Sequence, residues 1–295
     1  MTPETERMRA EFQQFISVVL ESETAVKGVV AIGSMATGHM TAASDIDAIV
    51  FLDPFDLYII PAEAIWQPDD DTFFSIFNDN INGLPLDFAR LSWQEWSNPN
   101  FEWPEGRRAE LGAGWIVHDP SGEVAQLINQ RAVYDDELRL TRLDESLVWL
   151  DQHLNWKPET AWEKLGPAIA HDRLEAAYDY VVQALFAFNR RWRPWRNREM
   201  QSLLQLPWLP DNFAERVLIA ANAPKLDYDG YLARINSLRD LFQELMSKLI
   251  ENGDYSNTPI DQAFIRSNDE PGRAWNMDEW NKFRQIRQLS GNGRQ

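Results

Sequence analysis

The chain has 295 residues, and its 28 lysines and arginines stand against 46 aspartates and glutamates, which gives a formal net charge of −18. This charge opposes a long nucleic-acid surface, because such a surface would have to neutralise many phosphates. The absence of cysteine excludes a disulfide scaffold, a cysteine-ligated zinc or iron–sulfur site and a cysteine nucleophile. An apolar share of 44% is enough to build cores, and the length favours one large domain or two of ordinary size.

The sequence contains no pattern typical of a membrane span or a signal peptide. No stretch approaches the roughly 18 apolar residues that a membrane helix needs, and charged residues interrupt the first fifteen positions. We therefore expect a cytoplasmic protein without a membrane partner.

The first 120 residues alternate between helical and strand patterns. Apolar positions at helical spacing predict a helix over 3–21, and a further pattern favours one over 56–65. Short apolar runs predict buried strands. These strands cover 26–32, 45–52, 72–77, 84–91 and 114–117, with a turn at 78–83. Strands interleaved with helices indicate a mixed sheet.

From residue 123 onward the pattern becomes helical. Helices are predicted over 168–191, 200–206, 212–221 and 228–251. The chain from 252 onward is polar and rich in Gly and Asn, which predicts an irregular tail that ends in a short helix through Trp280 and Phe283. The sequence thus predicts an α+β protein with a mixed-sheet domain over 1–122, an all-helical bundle over 123–251 and a largely irregular tail over 252–295.

The stretch VVAIGSMATGHMTAASDIDAIVFL, residues 29–52, combines a glycine turn with paired acids. Because alternate residues of a strand share a face, Asp45 and Asp47 project together, about 6–7 Å apart. Carboxylates that close repel each other unless a cation lies between them, and oxygen ligands select Mg²⁺ or Mn²⁺. Gly33 permits a sharp turn, and Ser34 with the N–H groups after it can hold a phosphate.

A third acid lies on a later strand. In LPLDFARL, residues 84–91, Asp87 alternates with Leu86 and Phe88 and therefore points away from their apolar face. If this strand pairs beside 45–52, Asp87 joins the acid pair, where it could bind a second metal ion or take a proton as a general base. The pattern predicts a metal-dependent site for a phosphorylated ligand.

The order of these features resembles the polymerase-β-like nucleotidyltransferase superfamily: a strand ending in Gly-Ser, ten residues, Asp-Ile-Asp opening a second strand, and a later strand-borne Asp. Within it, the chain is similar to small antibiotic nucleotidyltransferases of the aminoglycoside and lincosamide types. The resemblance implies that Gly33 and Ser34 bind the triphosphate and that Asp45 and Asp47 bind metal ions. It implies that Asp87 is the third catalytic carboxylate, as base, metal ligand or both.

The activity that this resemblance implies is transfer of a nucleoside monophosphate, AMP from ATP, to a hydroxyl of a small molecule, with two Mg²⁺ ions and release of pyrophosphate. The acceptor would be an aminoglycoside-like antibiotic. The implied partners are thus a nucleoside triphosphate and a small acceptor. Nucleotidylation of a partner protein, as by antitoxins of this superfamily, and a non-catalytic nucleotide sensor stay open as alternatives.

Five arginines lie within residues 189–198 of this acidic chain. In one interpretation, part of the cluster, with Arg190 and Arg193 as candidates, holds triphosphate or pyrophosphate charge. In the other, the cluster favours the C-terminus of a helix and pairs with surface acids. The sequence alone leaves both open.

Overall fold

The computed structural model of the protein describes residues 1–67, 72–74, 83–223, 225–268, 280–282 and 284–286. It divides into two compact units, Met1–Val133 and Tyr134–Gln295. The division falls later than the predicted boundary at 122/123, because a helix at Glu123–Arg131 packs its apolar side chains into a core of the first unit. The predicted order, a mixed-sheet domain followed by a helical one in an α+β chain, is confirmed.

Within the described residues, six strands of the first unit form one sheet. They are β1 (Val26–Ala31), β2 (Ile46–Leu52), β3 (Glu63–Gln67), β4 (Thr72–Phe74), β5 (Leu84–Ser92) and β6 (Trp115–His118). Their spatial order is β4-β3-β5-β2-β1-β6. Strands β2 and β5 run parallel, and the other neighbouring pairs are antiparallel. The parallel pair therefore lies in the middle of the sheet.

Helices cover both faces of this sheet. They are α1 (Pro3–Phe15, continued by a π-helical turn at Ile16–Leu20), α2 (Gly33–Thr37), α3 (Trp93–Trp96), α4 (Glu105–Gly112) and α5 (Glu123–Arg131). Even-numbered residues of β2 pack in the core with α1, whereas Ile49 and Phe51 pack in the core with α4 and α5. Burial of one such side chain stabilises the fold by about 1.5–3 kcal/mol. This alternation therefore assigns Asp47 to the face that α4 and α5 cover.

The predicted helix over 56–65 is wrong. The chain from 53 to 62 forms irregular turns, and strand β3 begins at Glu63. Ala64 and Trp66 are buried while Glu63 is exposed, and this period of two belongs to a strand. Trp66 packs edge-on against Phe15 of α1, so tertiary packing decides the structure of this short segment.

Strand β3 separates its two neighbours in the sheet. It lies between β4 and β5, so the strands predicted over 72–77 and 84–91 do not pair with each other. The turn predicted over 78–83 lies, apart from Gly83, outside the described residues.

The second unit is built from helices. They are α6 (Asp136–Leu154), α7 (Pro158–Phe188), α8 (Arg196–Leu203), α9 (Phe213–Ala221), α10 (Tyr228–Glu251) and α11 (Pro259–Asn268). Their apolar side chains meet in one core. Helix α7 is broken at Gly166, whose φ of 76° is not helical and which precedes Pro167. No helix within the described ranges combines the length and the apolar character needed to cross a bilayer.

Part of the segment predicted as an irregular tail is helical. Helix α11 packs on α6, and residues 280–282 and 284–286, which include Trp280, are helical too, whereas Phe283 lies outside the described residues. A polar anchor holds this segment. The buried carboxylate of Asp144 on α6 accepts hydrogen bonds from the Tyr255 hydroxyl at 2.7 Å and from the Arg266 guanidinium at 2.6 and 2.8 Å. Composition cannot reveal such long-range pairs.

A second ion pair makes the stability of this unit depend on pH. Arg139 donates two hydrogen bonds, at 2.6 and 2.8 Å, to Asp254. Burial raises the pKa of Asp254, but Arg139 outweighs burial and holds that pKa below its usual range. The pair therefore stabilises the fold fully above the unfolded pKa of about 3.9, and this contribution is lost as the pH falls through the lower folded pKa.

We expect Asp254→Asn to lower the free energy of unfolding by about 1–3 kcal/mol at neutral pH. The difference from the wild type should begin to shrink below about pH 4, where the carboxylate of the unfolded chain is protonated, and should vanish once the pH has fallen through the lower folded pKa of Asp254. Urea unfolding followed by circular dichroism at neutral and at acidic pH measures both values. A difference that stays constant over this range would contradict the assignment.

Candidate active site

Asp47 and Asp87 lie side by side on the two central strands. In the parallel pairing of β2 with β5, Asp47 is directly opposite Asp87. Neighbouring strands are about 4.8 Å apart, so two such side chains on one face reach the same point in space. The pairing on which the sequence hypothesis for Asp87 depended is therefore present.

Asp45 completes a group of three carboxylates, here called the acid triad: Asp45, Asp47 and Asp87. Asp45 comes one residue before β2 and two residues before Asp47. One carboxylate oxygen from each of the three lies within 4.8 Å of the other two. Asp45 and Asp87 are exposed and Asp47 is half-buried, so a ligand can reach the group from solvent.

Mutual repulsion within the acid triad calls for a positive charge. The pKa of Asp87 is raised, first because neighbouring groups remove part of the water around its carboxylate and then by the charge of Asp45, while Arg107 lowers it in part. A divalent cation among the three oxygens would remove the repulsion. Carboxylate oxygens are hard donors, which Mg²⁺ and Mn²⁺ prefer over softer metals. The acid triad therefore fits a hard divalent cation in charge, spacing and donor type.

Gly33 lies directly against the acid triad. Its φ is 59°, a left-handed conformation that strains any residue with a Cβ atom. A Cβ atom added there would also lie 2.6 Å from Oδ2 of Asp47, which is closer than such atoms can approach. The absence of a side chain at Gly33 therefore leaves room for the Asp47 carboxylate, and a larger residue would displace the turn or the carboxylate.

Contacts with α1 hold the short helix that begins at this glycine. The Arg9 guanidinium donates hydrogen bonds to the carbonyl oxygens of Met35, at 2.7 and 3.1 Å, and of Ala36, at 2.9 Å. Gly38 ends the helix in a left-handed conformation, with its N–H bonded to the Ser34 carbonyl oxygen. These bonds fix Gly33 and Ser34 at the end of β1, next to the start of β2.

Arg190 and Arg193 belong to the second unit, and each is ion-paired within it. Arg190 contacts Asp136 at 2.8 Å, and Arg193 pairs with Asp179 and with the buried carboxylate of Glu199. These contacts correspond to the second interpretation of the arginine cluster, pairing with neighbouring acids.

Two further charged residues beside the acid triad were missed in the sequence. Glu63 on β3 lies opposite Asp87. The Phe88 N–H donates a hydrogen bond to the Ala62 carbonyl oxygen, so the neighbouring residues Glu63 and Asp87 form a non-hydrogen-bonded antiparallel pair, whose side chains are close together. The wrongly predicted helix hid the alternation that places Glu63 there. Arg107 on α4 acts on the Asp87 carboxylate, but no motif or spacing indicates this in the sequence.

Comparison with known proteins agrees with the fold of the first unit. Residues 13–101 match the family model described as a nucleotidyltransferase domain, and residues 102–197 match a domain of unknown function, DUF4037. A solved structure described as a nucleotidyltransferase-like protein from Exiguobacterium sibiricum aligns over 89% of this chain and 81% of that one, with 12% identity and a TM-score of 0.40. Among curated proteins, none matches the chain significantly.

Proposed function

We propose, from the premise that residues 13–101 form a nucleotidyltransferase domain, that the protein transfers AMP from ATP to a hydroxyl group of a small-molecule acceptor. The observation that carries this proposal is the convergence of the acid triad beside the turn at Gly33. A phosphate-binding turn next to a set of metal-binding carboxylates is the arrangement that nucleotidyl transfer requires.

Each part of the site has a distinct task in this reaction. Asp45, Asp47 and Asp87 would hold Mg²⁺, which when bound neutralises charge on the triphosphate. Gly33 lets the backbone approach the phosphates, and Ser34 offers them a hydroxyl donor. Asp87 takes the acceptor's hydroxyl proton as that oxygen bonds to the α-phosphorus. The bond from the α-phosphorus to the bridging oxygen breaks, and pyrophosphate leaves.

The charges around Asp87 favour a cationic acceptor such as an amino sugar. Glu63 adds a fourth carboxylate on the side of Asp87 away from Asp47. The whole chain carries a formal charge of −18, which attracts cations over long range. An aminoglycoside-like molecule would place ammonium groups near Glu63 while one of its hydroxyls meets Asp87.

Mass spectrometry on products tests the proposal directly. Purified protein is incubated with Mg²⁺, the four nucleoside triphosphates and pooled aminoglycosides and lincosamides, with Asp47→Asn protein as the control. We expect one acceptor to gain the mass of AMP less water, in the wild type only. A mass gain on protein would instead support protein nucleotidylation, and nucleotide binding without any product would support a sensor.

A further inference from the structure

Helix α4, which carries Arg107, covers the face of the sheet to which the acid triad points. Leu111 of helix α4 is buried in the same core as Ile49 and Phe51 of β2. Asp47 points to this same face, because it alternates with the buried residues on either side of it. Asp87 does so on β5, where Leu86 and Phe88 point to the opposite face. Helix α4 and the acid triad therefore share one face.

Arg107 occupies the turn of α4 that precedes Leu111. Residues four apart lie on the same face of a helix, and Leu111 lies on the face of α4 that is directed to the sheet. Arg107 therefore extends from that face as well. Its side chain is only 24% exposed and pairs with Glu110 at 2.8 Å. Its guanidinium is close enough to lower the pKa of Asp87, which agrees with this placement.

We propose that Arg107 binds the β- and γ-phosphates of the nucleoside triphosphate and then the departing pyrophosphate, a role that rests on the proposed function. A guanidinium matches phosphate oxygens with two parallel hydrogen bonds, and in the free protein Glu110 is one acidic partner that holds it. Arg190 and Arg193 pair with Asp136, Asp179 and Glu199 within the second unit.

This assignment gives a function to the segment outside the nucleotidyltransferase match. Arg107 lies within residues 102–197, which match a domain of unknown function. The start of that segment would supply Arg107 as a positive charge for the phosphates, whereas the acid triad supplies only negative charge. Binding energy for the triphosphate would thus come from both matched segments.

Titration calorimetry with three probes tests the role. The probes are a magnesium-loaded ATP analogue with a non-cleavable α,β-bridge, magnesium pyrophosphate and AMP. We expect Arg107→Ala to weaken the analogue and pyrophosphate by about 10- to 100-fold and AMP by less than about threefold. Arg107→Lys should recover part of the loss, because it keeps the charge but not the paired hydrogen bonds.

Two further variants separate phosphate binding from a structural role. Glu110→Gln should bind the analogue at least as tightly as the wild type, because a competitor for the guanidinium is gone. Arg7→Gln, which removes two ion pairs on the surface of α1, should change none of the three affinities. If Arg107 only braces α4, the Glu110 variant would weaken binding as the Arg107 variant does.

The outcomes distinguish this inference from the proposed function. If Arg107→Ala and Arg107→Lys bind the analogue with wild-type affinity, the role of Arg107 is overturned and the proposed function is not affected. An equal loss for AMP and for the analogue would overturn it too, since the defect would not be in the outer phosphates. A wild-type protein that binds neither the analogue nor pyrophosphate would overturn the proposed function and this inference with it.

Discussion

Asp47→Asn is expected to lower kcat/KM for nucleotide transfer by about 10³-fold or more, because it removes one of the three carboxylates of the acid triad. Asp47 lies opposite Asp87, and its Oδ2 atom lies 2.6 Å from the position that a Cβ atom at residue 33 would take. An amide of the same size keeps the shape of the site but lacks the negative charge that holds a divalent cation. The loss should appear in steady-state rates of AMP transfer at saturating Mg²⁺.

The fold should survive this change. Removing one of three mutually repelling charges does not weaken packing, so the urea midpoint of Asp47→Asn should equal or exceed that of the wild type. In the wild type, Mg²⁺ should raise the thermal midpoint by mass action, and in the variant this rise should be small or absent. Glu21→Gln, at an exposed acid of the same unit, is the control for a change of net charge. Full activity of the Asp47 variant would refute the metal site.

Asp144→Ala should destabilise the helical unit by about 3–5 kcal/mol, the largest effect on stability that we predict. The Asp144 carboxylate is 4% exposed and joins α6 to the segment that contains α11. Without it, Arg266 keeps a half-buried charge and the buried Tyr255 hydroxyl loses an acceptor. The loss of three hydrogen bonds to one ionised group explains why the cost exceeds that of an ordinary surface pair.

Urea unfolding followed by the helical circular dichroism signal measures this effect. Asp144→Asn should cost less than Asp144→Ala, because its side-chain oxygen still accepts a hydrogen bond. Asp240→Ala removes an exposed acid from α10 and should stay within about 0.5 kcal/mol of the wild type. Equal stability of the Asp144→Ala and Asp240→Ala proteins would show that the anchor does not hold α11.

The sequence predicts the centre of the candidate site better than its surroundings. Apolar runs with acids at alternate positions locate β2 and β5, and the spacing of Asp45 and Asp47 requires no tertiary information. The sequence could not predict that β2 pairs with β5, because long-range packing decides which strands are neighbours in a sheet. Strand β3 was missed because its five residues are too few for their alternation of exposed and buried positions to outweigh the helical pattern that precedes them. Packing of Trp66 in the core favours the strand, and the sequence does not show that packing.

Residues that join the site through tertiary structure could not be predicted. Glu63 lies beside Asp87 only because β3 inserts between β4 and β5. Arg107 lowers the pKa of Asp87 in part because α4 covers the same face of the sheet, and its sequence neighbours give no sign of this. Conversely, Arg190 and Arg193 attract notice as part of a dense cluster, yet Asp136, Asp179 and Glu199 pair with them.

The in-register pairing of Asp47 with Asp87 ties assembly of the acid triad to the integrity of the whole sheet. A slip of one residue between β2 and β5 would turn Asp87 toward the apolar side, where an unpaired carboxylate costs several kcal/mol. A slip of two would separate the acids by about 6.6 Å along the strands. Partly aligned states are thus depopulated, and the amides of β2 should exchange with deuterium mainly when the unit unfolds as a whole. The fraction of molecules with an assembled acid triad should then equal the folded fraction.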